Sequence, residues 1–400
     1  MHTVTGIGRR IAYWRVRRGL TQAEFARLMG RSVRWVEDVE AGHRQADPRL
    51  SVLTRAARVL HIGIDRLLPE EPNPEQHVHD PLGAVRAALR RADIAPAAGP
   101  EPVRRIDLAM PRRELSYGWT AYTAADYGCL DRVVPPVLAA TVPIAGAVGP
   151  DACARAAVRS AALGLASAAA QVFGDADLAW RAADRAITSA GHSGDAVVLA
   201  RAAHRLTGAM AWHEGAGAAV EFALGAETDL ASALDLRGRA GRAALRTLRL
   251  GAALATARLG DRPATRDLLE GAERADPGAI QVPLYRVTAH VLLGEYARAV
   301  AGRFTPDALA VLPRGRQARH LIDLARALAA LGRRGEAVGA LLEAEAAAAQ
   351  EIRCRPPNRR FVQEILRLDS PADGDESRLR ALAARCAGYG SWGPERAWIM

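Results

Sequence analysis

The chain has 400 residues, half of them hydrophobic and about a quarter charged, with a formal net charge of +10. This length predicts two or three domains, and the composition is typical of a soluble globular protein. All 54 basic residues are arginines, which excludes a P-loop lysine, a Schiff-base lysine and a Ser-Lys dyad.

Much of the positive charge is concentrated at the start of the chain. Residues 1–68 hold 13 arginines against 6 acidic residues. Arginines neutralise phosphates and release their counterions, so this surplus suits a polyanionic partner. A solvated arginine-rich surface explains the same charge equally well.

Cysteines and apolar stretches indicate the compartment. The four cysteines lie far apart with no C-x-x-C pair, which predicts buried thiols in a reducing compartment and no disulfide framework. No apolar targeting segment begins the chain, and prolines interrupt its longest low-charge stretch, residues 133–150. We therefore expect a cytoplasmic protein without membrane contact.

The stretch from Gly19 to Gly42, GLTQAEFARLMGRSVRWVEDVEAG, predicts two short helices around a glycine turn. Thr21 and Glu24 form a capping-box pattern before the helix 22–29, which Gly30 is expected to end with a positive φ. Ser32 is placed to cap the second helix. Two short helices in this arrangement are typical of a helix-turn-helix.

Flanking segments complete a predicted five-helix domain, with further helices over 7–18, 49–60 and 65–68. Its inward-facing positions follow helical spacing. They are Ile7, Ile11, Trp14, Phe25, Ala26, Met29, Val36, Val39, Leu50, Leu53, Ala57 and Leu60.

Residues 7–68 resemble the phage-repressor-like (Cro/C1, or XRE-type) helix-turn-helix family. The matching residues are Gly8, Arg15, Thr21, Gln22, Phe25, Ala26, Gly30, Ser32, Val36, Val39, Glu40 and Gly42. The resemblance implies that this domain binds double-stranded DNA. It also implies that Arg15 and Glu40 form an internal ion pair, a structural role.

The resemblance also implies DNA contacts for particular residues. It places Gln22 at a phosphate and puts four residues on the exposed face of the recognition helix: Ser32, Val33, Arg34 and Asp38. Arg34 is suited to a bidentate hydrogen bond with guanine, and Asp38 is suited to accept a hydrogen bond from cytosine N4. His43 and Arg44 fit backbone contacts that set the register.

Three residues depart from the pattern expected of a DNA-facing surface. Trp35 replaces a residue that is usually small or polar, and it either covers the domain's own core or packs on the DNA backbone. We expect the first. Arg31 either adds positive charge at the edge of the groove or is a solvated turn residue, and we expect the first. Asp38 repels phosphate unless it reads a base.

The rest of the chain is predicted to be all-α. A proline-rich linker region, 69–103, contains one short helix, and an alanine- and leucine-rich region follows at 104–386, before a tail at 387–400. Similar segments begin at Gly174, Gly215, Gly260, Gly294 and Gly332. Their spacing resembles tetratricopeptide-like (TPR-like) helical hairpins and predicts an α-solenoid, with a non-repeating helical bundle as the alternative.

Several polar motifs do not form a catalytic or metal-binding pattern. AWHEGAG, at 211–217, predicts a helix end and GHSGD, at 191–195, a turn between hairpins. RCRPPNRR, at 353–360, predicts a solvated loop because of its prolines. His192, His204 and His213 lack ligand spacing, so we expect no metal, no cofactor and no enzymatic activity.

Two groups of aromatic residues stand out in the long helical region. Tyr117, Trp119, Tyr122 and Tyr127 have the spacing of buried helix faces. Trp180, Trp212 and Tyr285 lie on different hairpins, where they either line a concave ligand groove or pack individually in the core. We expect core packing for each.

These features together predict a dimeric transcriptional regulator controlled by a peptide, small-molecule or protein partner. The plan resembles bacterial regulators that join such a DNA-binding domain to TPR-like repeats, and the composition is typical of high-GC actinobacteria. Dimerisation is expected because one recognition helix makes few base contacts. The alternatives are a scaffold whose repeats recruit a partner to DNA and an enzyme with a DNA-targeting head.

Overall fold

The structure, a computed structural model, describes residues 5–41, 50–60, 67, 80–94, 107–143, 148–367 and 374–387. None of these residues belongs to a β-strand, so the all-α prediction is confirmed. The chain forms two compact units, one of Met1–Asp80 with Ile106–Tyr117 and one of Pro81–Arg105 with Gly118–Met400.

The first unit contains four helices of the predicted helix-turn-helix domain. They are α1 (Thr5–Arg17), α2 (Gln22–Met29), α3 (Val33–Glu40) and α4 (Leu50–Leu60). Of the fifth predicted helix, 65–68, only Leu67 is described, and its side chain is fully buried.

The core of this unit is built from the apolar positions predicted by helical spacing. Phe25, Met29 and Val36 are almost completely buried at its centre. Gly8 allows a close helix crossing, since a Cβ there would lie 1.9 Å from the carbonyl oxygen of Val39. The crossing of α1 over α3 therefore depends on the absence of a side chain at residue 8.

The second unit begins with α5 (Gly83–Ile94), the short helix predicted within the linker region. The Asp131 side chain accepts hydrogen bonds from the backbone N–H groups of Ala84 and Val85 at 3.0 and 3.1 Å, and so caps α5. Helix α6 (Ala109–Thr123) contributes residues to both units. A short 3-10 helix, Tyr127–Cys129, and α7 (Leu130–Ala140) follow.

Paired helices form the remainder of this unit. They are α8 (Pro150–Phe173), α9 (Ala176–Gly191), α10 (Ala196–His213), α11 (Ala216–Asp235), α12 (Gly238–Arg258), α13 (Arg262–Ala275), α14 (Gln281–Leu292), α15 (Tyr296–Ala301), α16 (Pro306–Ala310), α17 (Arg314–Ala330), α18 (Arg334–Ala347), α19 (Ala349–Arg353), α20 (Pro356–Arg367) and α21 (Gly374–Ala387).

The predicted hairpin pattern is confirmed at all five glycines that begin the similar segments. Each has a positive φ and lies between two helices that pack against each other, such as α8 with α9 and α17 with α18. The first helices of successive hairpins, α8, α10, α12, α14 and α17, also pack in a row. We call these five, together with α20, the inner helices.

The second unit closes into a ring, because its last helices return to its first ones. The backbone N–H of Tyr127 donates to Gln350 Oε1 at 2.8 Å, although 223 residues separate the two in sequence. The Tyr127 hydroxyl donates to Glu351, and Pro356 packs where a side chain on Gly174 would lie.

The structure corrects the prediction for residues 353–360. They do not form a solvated loop, because Pro356 and Pro357 occupy the first turn of α20, where a missing backbone N–H costs nothing. Asn358 is buried, and its side chain donates to the carbonyl oxygen of Glu351 at 2.8 Å. The prolines begin a helix here.

Helix α8 is long and apolar enough to cross a membrane by length and composition alone. However, 72% of its most apolar stretch is buried inside the protein. Its alanines and Leu163 pack against α9 and α10, so the helix has the surroundings of a core element.

Candidate nucleic-acid interface

Local capping residues hold the helix-turn-helix in place. The Thr21 hydroxyl accepts the backbone N–H of Glu24 at 3.2 Å, and the Glu24 carboxylate accepts the backbone N–H of Thr21 at 2.7 Å. The predicted capping box is therefore confirmed. The hydrogen bonds from Thr21 also lower the pKa of Glu24, so this side chain stays ionised.

The turn between α2 and α3 has the conformation that its sequence predicts. Gly30 has φ 63° and ψ 41°, and its backbone N–H bonds back to α2. The Ser32 hydroxyl then accepts the backbone N–H of Trp35 at 3.2 Å and caps α3. Gly30, which tolerates a positive φ, thus fixes the start of the turn, and the Ser32 side chain fixes its end.

A buried ion pair links α1 to the end of α3. Arg15 donates to the two carboxylate oxygens of Glu40 at 2.6 and 2.9 Å, which confirms the predicted pair. Gln22 Nε2 donates to the same carboxylate at 2.9 Å. The second N–H of the Gln22 amide is not used by this bond, so Gln22 keeps one more hydrogen-bond donor.

Trp35 is half-buried and packs against the hydrophobic core of the first unit. The prediction that it covers this core is therefore confirmed. The guanidinium of Arg31 lies over the indole, 5.5 Å from the ring centroid. This contact orients an exposed cation at the beginning of α3.

The exposed face of α3 carries the residues that could meet base edges. Val33 is 40% exposed, and Arg34 is exposed with no ion-pair partner in the part of the chain that the structure describes. Asp38 is half-buried, whereas Glu37, which sequence analysis did not single out, is exposed one turn after Arg34. The face therefore combines an apolar, a cationic and an anionic side chain.

Arg55 of α4 is a further cation beside the turn. Its Nη2 would lie 3.2 Å from a Cβ added to Gly30, and its side chain is exposed. The sequence alone does not place Arg55 beside the turn, because Arg55 and Gly30 are 25 positions apart. The sequence indicates only that Arg55 lies on the outer face of the amphipathic helix α4, opposite Leu53 and Ala57.

Two of the predicted DNA-contacting residues, His43 and Arg44, lie outside the described residues. The other six lie at the start of α2, in the turn and on α3: Gln22, Arg31, Ser32, Val33, Arg34 and Asp38. The structure thus brings six of the eight predicted residues onto one helix-turn-helix.

Comparisons with known proteins agree with this geometry. Residues 7–68 match the family described as "Helix-turn-helix domain". An uncharacterized HTH-type transcriptional regulator of Bacillus subtilis, YazB, is 41% identical over 64 residues, which are 16% of this chain and 90% of that relative. No solved structure matches the chain. The chain therefore belongs to the helix-turn-helix transcriptional regulators and carries its DNA-binding domain in residues 7–68.

Proposed function

We propose that this protein is a sequence-specific, dimeric transcriptional regulator of the phage-repressor (XRE, Cro/C1) type, controlled by an effector. In this proposal residues 1–68 bind DNA and 69–103 connect them to a TPR-like sensor and dimerisation domain at 104–386. The regulator acts in the cytoplasm and has no catalytic role. The observation that carries the proposal is the exposed, unpaired Arg34 on the firmly capped helix α3.

Base reading is assigned to α3 and phosphate contacts to the residues around it. Arg34 is suited to a bidentate contact with guanine O6 and N7, and the exposed Val33 to a thymine methyl group. Gln22, Arg31 and Arg55 carry donors at the edges of this surface, where phosphates set the register. Asp38, being half-buried, is the weakest of the predicted base contacts.

A dimer follows from the small size of one recognition surface. Only a few side chains of α3 are exposed, and each good base contact contributes about 1–3 kcal/mol of discrimination. Two copies on two half-sites double the number of contacts. We expect an operator with pseudo-two-fold symmetry and half-sites about 10 base pairs apart, or a multiple of that spacing.

Genome-wide mapping of DNA bound by the full chain tests the proposal. A recurrent pseudo-palindrome supports it, a single asymmetric half-site refutes the dimer, and the absence of any preferred sequence refutes specific regulation. Gel filtration with light scattering then measures the oligomeric state. A stable complex with a different protein in place of a self-dimer would favour the scaffold alternative.

Two arginine variants separate base reading from phosphate binding. Arg34→Ala is expected to relax sequence preference at one base pair and to cost about 1–3 kcal/mol on the operator. Arg55→Ala is expected to weaken binding to all sequences alike and to lower the slope of affinity against salt by about one. A uniform loss for Arg34→Ala would move Arg34 to the phosphate backbone.

A further inference from the structure

The ring of the second unit surrounds a cavity of about 1420 Å³ that is open to solvent. Its wall is formed mainly by the inner helices, and it includes apolar side chains such as Leu254 and Leu284. Trp212, which is 50% exposed, and the half-buried Tyr285 also line it. The expectation of core packing is therefore wrong for Trp212, whereas Tyr285 and Trp180 each pack against a cluster of core residues.

One part of the wall has more cationic than anionic side chains. Arg205 of α10 and Arg316 of α17 both line the cavity, and neither forms an ion pair with a carboxylate within the described ranges. Arg319 and Arg355 share a single carboxylate, that of the buried Glu351. Four guanidinium groups therefore face one carboxylate, and we call these four residues the arginine cluster.

Three other charged side chains of the wall have partners of their own. Asp323 accepts a hydrogen bond from Thr288 at 2.6 Å, and Arg326 donates to Asn358 at 2.9 Å. Asp175 forms an ion pair with Arg86 at 2.6 Å. Neither aspartate forms an ion pair with Arg205 or Arg316.

The positive potential of the arginine cluster lowers the pKa values of two nearby tyrosines. Burial alone raises the pKa of Tyr122, yet Arg319, Arg355 and Arg205 together lower it to about 7. Burial likewise raises the pKa of Tyr285, but Arg316, whose guanidinium lies 5.7 Å from the ring centroid, brings it below its ordinary value. Negative charge is thus stabilised near both hydroxyl groups.

Three further buried polar atoms of lining residues have no hydrogen-bond partner among the described residues. They are Nε2 of Gln171 on α8, Nδ1 of His204 on α10 and Nδ1 of His320 on α17. A buried polar atom without a partner is costly, and a bound ligand is one way to satisfy it. Gln171 approaches α10 at Gly208, one turn beyond His204.

We propose that the cavity binds a small organic anion whose phosphate or carboxylate group contacts Arg205 and Arg316. The guanidinium fork matches the geometry of both groups, and the apolar residues of α12 and α14 provide a surface for the rest of the molecule. The inference rests on the proposed function in one respect, since it identifies this ligand with the effector of the regulator.

Isothermal titration calorimetry on the full chain in 150 mM NaCl, with pyrophosphate and with citrate as probes, tests the site. We expect saturable binding of at least one probe with one site per chain. The preferred probe then distinguishes a phosphate ester from a carboxylate as the natural ligand. Failure of both probes to bind would overturn the proposal.

Matched arginine variants locate the binding. Arg205→Gln and Arg316→Gln are each expected to raise the Kd about tenfold or more, the effect of losing a charge-assisted hydrogen bond. Arg201→Gln and Arg314→Gln remove exposed arginines from the same two helices, outside the cavity wall, and are expected to leave the Kd within about twofold. Equal losses in both pairs would refute the site.

Two measurements keep the outcome interpretable. Arg316→Lys retains the charge and is expected to bind more tightly than Arg316→Gln, while circular dichroism confirms that each variant is folded. Operator binding is then measured with and without the preferred probe. Anion binding without any change in operator affinity would support the site and refute effector control, whereas DNA binding by a protein that binds neither probe would refute the site alone.

Discussion

Replacing Glu40 by alanine is expected to destabilise the DNA-binding domain by about 3 kcal/mol. Its side chain is 8% exposed and accepts three hydrogen bonds, two from Arg15 and one from Gln22. Removing one partner of a buried ion pair costs about 3–5 kcal/mol, because the remaining charge is left without compensation. Arg15 keeps a bond to the carbonyl oxygen of Leu20 at 2.8 Å, which places the estimate at the lower end.

Glu37→Ala is the matched control, because it removes the same charge from the same helix. Glu37 is exposed and makes no hydrogen bond or ion pair within the described residues, so its loss is expected to change stability by about 0.5 kcal/mol or less. A loss of negative charge near the end of α3 favours both variants slightly through the helix dipole. Only Glu40→Ala also releases Arg15 and Gln22.

Hydrogen exchange measured by mass spectrometry on peptides that cover residues 22–41 is the assay, because it reports on this domain separately from the helical ring. Three kcal/mol corresponds to roughly a hundredfold faster exchange where amides exchange through opening of the domain. Exchange in Glu40→Ala no faster than in Glu37→Ala would refute the reasoning that this ion pair holds the recognition helix in place.

Three further perturbations test other parts of the molecule. Glu351→Gln is expected to lower the Tm by about 10 °C, since the buried carboxylate joins both ends of the ring. Burial raises the pKa of Glu351, but Arg319 and Arg355 bring it below its ordinary value, so the carboxylate is ionised. Glu343→Gln, at an exposed position, is the control, and equal Tm values for the two variants would contradict the ring closure. Gly30→Ala is expected to cost about 1 kcal/mol in the exchange assay because φ is 63° there, and an unchanged exchange rate would show that the turn can relax. His320 is buried, and its Nε2 accepts the backbone N–H of Phe304 at 3.2 Å. Burial lowers its pKa from 6.5 to about 4. Between these two pH values the unfolded chain binds a proton that the folded chain does not, so the free energy of unfolding decreases as the pH is lowered. From pH 7 to pH 5 this loss is about 2 kcal/mol, and urea unfolding of His320→Gln is expected to lack that part of the pH dependence, while an unchanged dependence would refute it.

The helix-turn-helix could be predicted in detail because its signals are local. Thr21 and Glu24 are three residues apart, and the conformation of Gly30 depends on its own missing side chain. The apolar positions of α2 and α3 repeat at helical spacing, so the buried face could also be predicted from the sequence. Each of these features involves residues within about one helical turn.

Predictions failed where a position depended on distant parts of the chain. The prolines at 356 and 357 predict a loop, but contacts of Arg355 and Asn358 with Glu351 make them the start of a partly buried helix. Arg55 reaches the turn at Gly30 only because α4 folds back on α2. Local sequence carries no information about such neighbours.

Local sequence patterns are sufficient to predict the helices, their hairpin turns and a recognition helix with Arg34 on its outer face. Closure of the hairpins into a ring through Tyr127 and Glu351, and the place of Arg205 and Arg316 on one cavity wall, are visible only in the folded chain. The difference lies in how far apart in sequence the interacting residues are. Caps and helical periodicity act between residues a few positions apart, whereas ring closure and the sharing of one carboxylate by two arginines depend on how many helices stack and at what angles.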